Sequence, residues 1–289
     1  MSAEYLALLD KVLSEGKIRS GEKPETTRTI FGGLTIQFNI AEDGFPLLTI
    51  RDLTKSWNNI IRKEAIWMIS GSTNANEAEE KYGLKLWKRW AEDSRLKLGT
   101  PEGELGPIYG HQLRNWNYQT DQLSVVIDML KRSPQTRRGI VNLWNIDEVE
   151  QYGVKNVNVA NCISSIHFAR MDYQTKSGGT EERLDMIMTH RSVDLPAGAP
   201  HDWAGWALIQ MLVARELDIP AGTLTAELHD TQIYDIQIEK VKELLKRQPL
   251  PKATVTIEGL EGTIYDAMPE HFVLHNYQSH EAMFMPTAT

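Results

Sequence analysis

The sequence predicts an α+β fold in one domain, and three observations carry that expectation. Helix-period apolar stretches are interleaved with β-branched runs bounded by turn formers. No internal repeat, low-complexity tract or Pro/Gly/Ser-rich linker divides the chain. Its 289 residues, 41% apolar and 24% charged, suffice for one large core. The expected domain is therefore 1–289, a curved sheet with packed helices.

In chain order, residues 2–14 read as a helix and 28–40 as a strand. Residues 53–70 place Leu53, Trp57, Ile60, Ile61, Ala65, Ile66 and Met68 along a largely buried helix. The Gly- and Pro-bearing stretch 94–107 reads as a loop over a site. A helix at 121–133 leads to strands at 138–146 and 157–172. Ser177-Gly178-Gly179-Thr180 reads as the hairpin connection to a strand at 183–190. A helix at 203–217, a strand at 223–230 and a helix at 235–247 follow. The last sets Ile238, Val241, Leu244 and Leu245 against Glu and Lys.

Bulk chemistry excludes several classes. A net charge of −8 argues against a broad electrostatic grip on nucleic acid, although a few converging arginines can still bind one phosphate. A single cysteine excludes a disulfide framework within the chain and fits a reducing compartment. No stretch has the apolar length of a membrane span, and the N-terminus has no signal-peptide pattern. The expected location is cytoplasmic, and no metal site or membrane partner is expected.

Cys162 sits in the strand-like run 157–168, and Arg191-Ser192-Val193-Asp194 follows about thirty residues later. A lone cysteine is ordinarily a small buried hydrophobe. A nearby cation favours the thiolate and makes it a nucleophile. Arg137 and Arg138 lead into a strand. Such a pair is ordinarily solvated surface, yet guanidinium forks beside a hydroxyl also make a phosphate cradle.

Further motifs fall in order: Glu64-Ala65-Ile66-Trp67-Met68, Gly71-Ser72-Thr73-Asn74, Leu86-Trp87-Lys88-Arg89-Trp90 and Leu105-Gly106-Pro107-Ile108-Tyr109-Gly110. Arg137-Arg138, Cys162, Arg191–Asp194, Asp230-Thr231-Gln232-Ile233-Tyr234 and the terminal 285–289 complete the series. From about residue 28 to the C-terminus the chain resembles the thymidylate synthases and their relatives, the deoxycytidylate hydroxymethylases. The resemblance implies a curved mixed sheet and a homodimer formed through a sheet face. It also implies folate-dependent one-carbon transfer to C5 of a pyrimidine 5′-monophosphate, with 5,10-methylenetetrahydrofolate as cofactor. Cys162 would add to C6, Tyr109 and water would take the C5 proton, and Glu64 would organise proton transfer. Arg191, Ser192 and the partner subunit's Arg137 and Arg138 would bind the phosphate. Gln232 and Tyr234 would meet the sugar. Trp87, Trp90, Asp194, Gly198 and the tail ending at Thr289 would hold the folate, with Arg51 a candidate for its tail carboxylates. Outside the pattern, Trp87 and Trp90 would read as core, Glu64 as a snorkelling or paired acid, and Tyr109 as a loop anchor.

Four positions depart from the synthase pattern. Asp202 stands where synthases have Asn. A carboxyl that accepts from an amino group and, when protonated, donates to N3 suits cytosine, whereas Asn suits uracil. The competing reading makes Asp202 the cap of a helix starting at Trp203. Ile163 replaces a His, and Gln232 replaces another that contacts the sugar 3′-hydroxyl. Gln still hydrogen-bonds a hydroxyl, and Ser192 matches the deoxynucleotide enzymes. The N-terminal phosphate loop is irregular: Arg19 is the candidate arginine and Lys23 its competitor. The leading expectation is a dCMP or CMP 5-hydroxymethylase. The alternatives are a thymidylate synthase-type methylase acting on dUMP or dCMP, and an idle nucleotide- or RNA-binding relative. Retention of Cys162, Glu64 and Tyr109 and the acidic charge argue against the last.

Overall fold

The computed structural model describes residues 2–20, 25–151, 154–155, 157–175 and 178–287. In chain order the strands are β1 (Lys17–Ser20), β2 (Thr26–Asn39), β3 (Ile140–Asn142), the short ribbon β4 (Glu150–Gln151) and β5 (Val154–Lys155), β6 (Ile163–Gln174), β7 (Thr180–Asp194), β8 (Ala221–Tyr234), β9 (Thr254–Ile257) and β10 (Phe272–His275). Six of them form one sheet in the order β1-β2-β8-β7-β6-β3. Every neighbouring pair in it is antiparallel except β7 and β8, which run parallel. A parallel pair requires a crossover. Its connection is a long helix that carries Asp202 back across the sheet.

The helices are α1 (Ser2–Glu15), α2 (Ile40–Asp43), α3 (Thr54–Ser56), α4 (Arg62–Ser70), α5 (Ala75–Tyr82), α6 (Lys88–Leu98), α7 (Tyr109–Arg114), α8 (Gln122–Arg132), α9 (Ile146–Val149), α10 (Ala199–Glu216) and α11 (Ile238–Leu244). The crossover is α10. It is apolar around most of its circumference, as a helix sandwiched within a core must be. Its Trp203 meets Tyr5 of α1 and Phe38 of β2 at ring-centroid distances of 5.7 and 5.2 Å.

Strand alternation gives the sheet two different faces. Phe38, Leu224, Met186, Met188, Ile166, Phe168 and Val141 are buried on one. Gln37, Thr225, Ile187, His167 and Ile140 lie in register across the other and keep accessible surface. No helix among those described is both long and apolar enough to cross a membrane.

The α+β expectation holds, and the differences have local causes. The 53–70 helix contains a π-turn at Trp57–Ile61 joining α3 to α4. The 94–107 loop is shorter than expected, because α6 runs to Leu98 and stops at Gly99 in the left-handed region (φ 70°). The rest is tied down: Ala75 N donates to the Gly103 carbonyl at 2.8 Å and Leu105 N to that of Thr73 at 3.2 Å. The strand expected from 157 begins only at Ile163. The helix expected from 203 begins at Ala199, since Pro200 is tolerated in a first turn whose N–H groups lack intrahelical partners anyway. In the hairpin between β6 and β7, Thr175 N donates to the Gly179 carbonyl at 2.9 Å, while Ser177 lies outside the described residues.

Candidate active site

Cys162 immediately precedes β6, and its carbonyl accepts from Arg191 N at 2.9 Å and from Ser192 N at 3.4 Å. Antiparallel pairing of β6 with β7 thus brings the thiol-bearing residue beside the cation and hydroxyl. The Arg191 guanidinium lies 4.4 Å from the Trp144 ring centroid and donates to the carbonyls of Asn161 (2.7 Å) and Ala160 (3.2 Å). These contacts fix the fork in one orientation.

Tyr109 opens α7 and meets the same segment at two points. Its phenol oxygen accepts from Cys162 N at 2.8 Å, and its backbone N donates to Asn161 Oδ1 at 3.1 Å. Asn161 is itself buried and donates to the Leu143 carbonyl. Burial pushes the Tyr109 phenol well above its ordinary pKa, and negative charge at Cys162 and Asp202 adds to the effect. Tyr109 therefore keeps its proton and can donate it into the cleft.

Glu64 lies on α4, where the indole Nε1 of Trp87 donates to its Oε1 at 2.6 Å. Burial outweighs that bond and pushes the carboxyl up to about 7. Trp87 is 8% exposed and packs among Trp67, Trp90 and Tyr109 at centroid distances of 5.6, 5.3 and 6.5 Å.

Asp202 sits in the first turn of α10, whose N-cap is Gly198. Its backbone N already donates to the Gly198 carbonyl at 3.1 Å, so the helix-cap reading fails. Although 28% of the side chain remains accessible, the carboxyl is enclosed enough that burial raises its pKa well above the ordinary value. The charges of Glu64 and Asp194 raise it further. Asp202 thus holds a proton more readily than an ordinary Asp, and a protonated carboxyl acts as donor and acceptor at once.

On the β7–β8 pair, Ser192 lies beside Asp230 and Asp194 beside Gln232. Gln232 Nε2 reaches Ser192 Oγ at 3.4 Å. Burial, then the charges of Asp194 and Cys162, push Tyr234 up to about 12. Arg19 on β1 binds Asp230 Oδ2 at 2.7 Å, which leaves it near Ser192 but already paired. Gln237 Nε2 bridges both oxygens of Asp194 (2.9 and 3.0 Å) and the Pro286 carbonyl (2.8 Å). The C-terminal tail is thereby tied to the Asp194 turn. At Gly198 an added Cβ would meet only ordinary contacts with Asp194, so packing alone does not demand glycine there.

Arg137 and Arg138 stand apart from Cys162 of their own chain. Arg137 and Arg138 are exposed and make no side-chain bond to any described residue. The adjoining Gly139 carbonyl accepts from Phe168, six residues along from Cys162. At a rise of ~3.3 Å per residue they lie about 20 Å from the thiol of their own chain. Arg51 is 3% exposed and donates to the Pro196 carbonyl at 2.8 Å. This bond ties Arg51 to the Leu195–Gly198 turn. Ile163, which stands where synthases carry a His, is fully buried. Lys23 and Thr289 lie outside the described residues.

Sequence reasoning missed Asn161, Gln237 and His190. The first and last directly precede Cys162 and Arg191, and that adjacency was the available signal. Gln237 was hidden in a helix read only for its apolar face.

The family model described as thymidylate synthase matches residues 3–289. The chain belongs to the thymidylate synthase family, whose members carry out folate-dependent one-carbon transfer to C5 of a pyrimidine nucleotide with 5,10-methylenetetrahydrofolate.

Proposed function

We propose that the chain hydroxymethylates C5 of a cytosine nucleotide 5′-monophosphate, dCMP or CMP. The observation that carries this reading is Asp202, a first-turn carboxyl that caps nothing and whose proton affinity is raised by its surroundings. A neutral carboxyl offers one donor and one acceptor, matching N3 and the 4-amino group of cytosine. Uracil presents the reverse pair.

The folate supplies the one-carbon unit. Cys162 adds to C6 and makes C5 nucleophilic, with Arg191 and Ser192 on the phosphate and Gln232 and Tyr234 at the sugar. Water held by the Tyr109 hydroxyl takes the C5 proton, while the phenol keeps its own. Glu64, poised near neutrality, holds and deprotonates the water that completes the hydroxymethyl group. Trp87, Trp90 and Asp194, with the tail, hold the folate. The two arginines about 20 Å from their own thiol support a homodimer, joined through the accessible sheet face, in which Arg137 and Arg138 serve the partner's phosphate site.

A second reading, methylation by hydride transfer, draws support from the tail tied through Gln237 at Pro286, which favours exclusion of water. The test is mass spectrometry of products from the purified protein, methylenetetrahydrofolate and equimolar dCMP, CMP and dUMP. A gain of CH₂O on a cytosine nucleotide is expected. A gain of CH₂ establishes the second reading, and turnover confined to dUMP overturns the cytosine assignment.

A further inference from the structure

We infer that His190 is a positioning residue that fixes which oxygen of Asp202 carries the proton, and thereby sets the base this site accepts. The inference rests on the cytosine reading above and deepens it. His190 lies on β7 with no exposed surface, between Ile163 of β6 and Leu228 of β8, both fully buried. Neither ring nitrogen has a hydrogen-bond partner, and Nδ1 lies 3.8 Å from Asp202 Oδ2. Buried polar nitrogens are seldom left in this state. The carboxyl of Asp202 faces Nδ1 from α10. Burial and the neighbouring charge of His229 keep the ring neutral, so it carries one N–H and one lone pair.

A shift of about 1 Å brings Nδ1 and Oδ2 to hydrogen-bond distance. An Nδ1–H donor then marks Oδ2 as the carbonyl oxygen and leaves the acid proton on Oδ1. Oδ2 has a second lone pair for the cytosine 4-amino group, and Oδ1–H donates to N3. Uracil meets this arrangement badly, with N3–H against O–H and O4 against Oδ2. Moving the proton to Oδ2 would suit uracil but would set O–H against Nδ1–H. In the Nδ1–H tautomer, which the proposal requires, the imidazole holds the carboxyl in the cytosine-reading state, and discrimination extends to a residue that touches no substrate.

The test measures kcat/KM for dCMP and dUMP with wild type, His190→Leu and His190→Asn. His190→Leu is expected to lower the cytosine-over-uracil ratio roughly tenfold or more, because the two proton positions become equivalent. His190→Asn places an amide N–H near the Nδ1 position and should keep the ratio within about threefold of wild type. A ratio of two substrates on one preparation does not depend on how much protein is folded, so a packing defect alone does not move it. An unchanged ratio in His190→Leu overturns the inference, whereas a wild type that prefers uracil overturns the reading beneath it. If His190→Leu does not fold, ¹⁵N-histidine NMR of the wild-type nucleotide complex decides. An Nδ1–H tautomer is expected, and an Nε2–H tautomer overturns the proposal.

Discussion

Replacing Glu64 with Gln keeps an acceptor for the Trp87 indole but removes the titration. The Glu64 carboxyl titrates near 7 in the folded chain, against 4.5 for an ordinary Glu. Between those values the folded chain holds a proton that the unfolded chain has released, so this group's contribution to stability falls as pH rises. The Tm of Glu64→Gln relative to wild type should therefore climb from pH 4.5 to 7 and then level, by the equivalent of up to about 3 kcal/mol. Turnover should fall about a hundredfold or more, and the rise in wild-type activity through pH 7 should vanish. A Tm difference that stays flat with pH would place Glu64 in ordinary solvent. Asp202→Asn gives the complementary result at the base edge. An amide that accepts from N3–H and donates to O4 should move preference toward dUMP by about tenfold, read from the two kcat/KM values. Unchanged preference would remove Asp202 from base recognition.

At the scale of elements, the tail is held through Gln237, which is fully buried and bonds Asp194, Pro286 and the backbone N of Tyr234. Gln237→Leu removes those bonds without opening the surface. The KM for the folate should rise about tenfold, the equivalent of ~1.4 kcal/mol, while the dissociation constant for nucleotide measured by calorimetry stays within a factor of two. Equal losses for both ligands would mean that the 3₁₀ turn at Asp235–Gln237 merely supports the sheet. Long elements of this kind were legible in the sequence because periodicity accumulates over many residues. The helix at 121–133 emerges close to its expected place, and the strand expected at 183–190 lies within β7. Helix α5 was not anticipated, because Asn76, Glu77, Glu79, Glu80 and Lys81 leave it almost no apolar stripe. The four-residue β1, β9 and β10 are too short to display alternation. The start of α10 was misjudged by four residues because Pro200 reads as a breaker, and that error decided whether Asp202 was a cap. Cys162, Tyr109 and Arg191 lie together, whereas the Asn161 clamp between them depends on the α7-to-β6 contact, which no local pattern records.

At the scale of the whole molecule, the distance of Arg137 and Arg138 from their own thiol makes a test of assembly. Arg137→Ala and Cys162→Ala chains should each be inactive alone. Mixed and allowed to exchange subunits, they should recover up to about a quarter of wild-type activity, since one site in a heterodimer regains both groups. Folded heterodimers that recover nothing would confine each site to one chain. The topology has a separate bearing on biogenesis. Among the described strands, β7 and β8 are the one parallel pair, and their crossover delivers Asp202 while Gln232 and Tyr234 arrive only at the end of β8. A chain emerging from the ribosome can close the β6–β7 hairpin early, but the nucleotide pocket must await the slower, long-range docking of β8. Nucleotide should therefore act late in refolding, slowing unfolding without hastening the initial collapse.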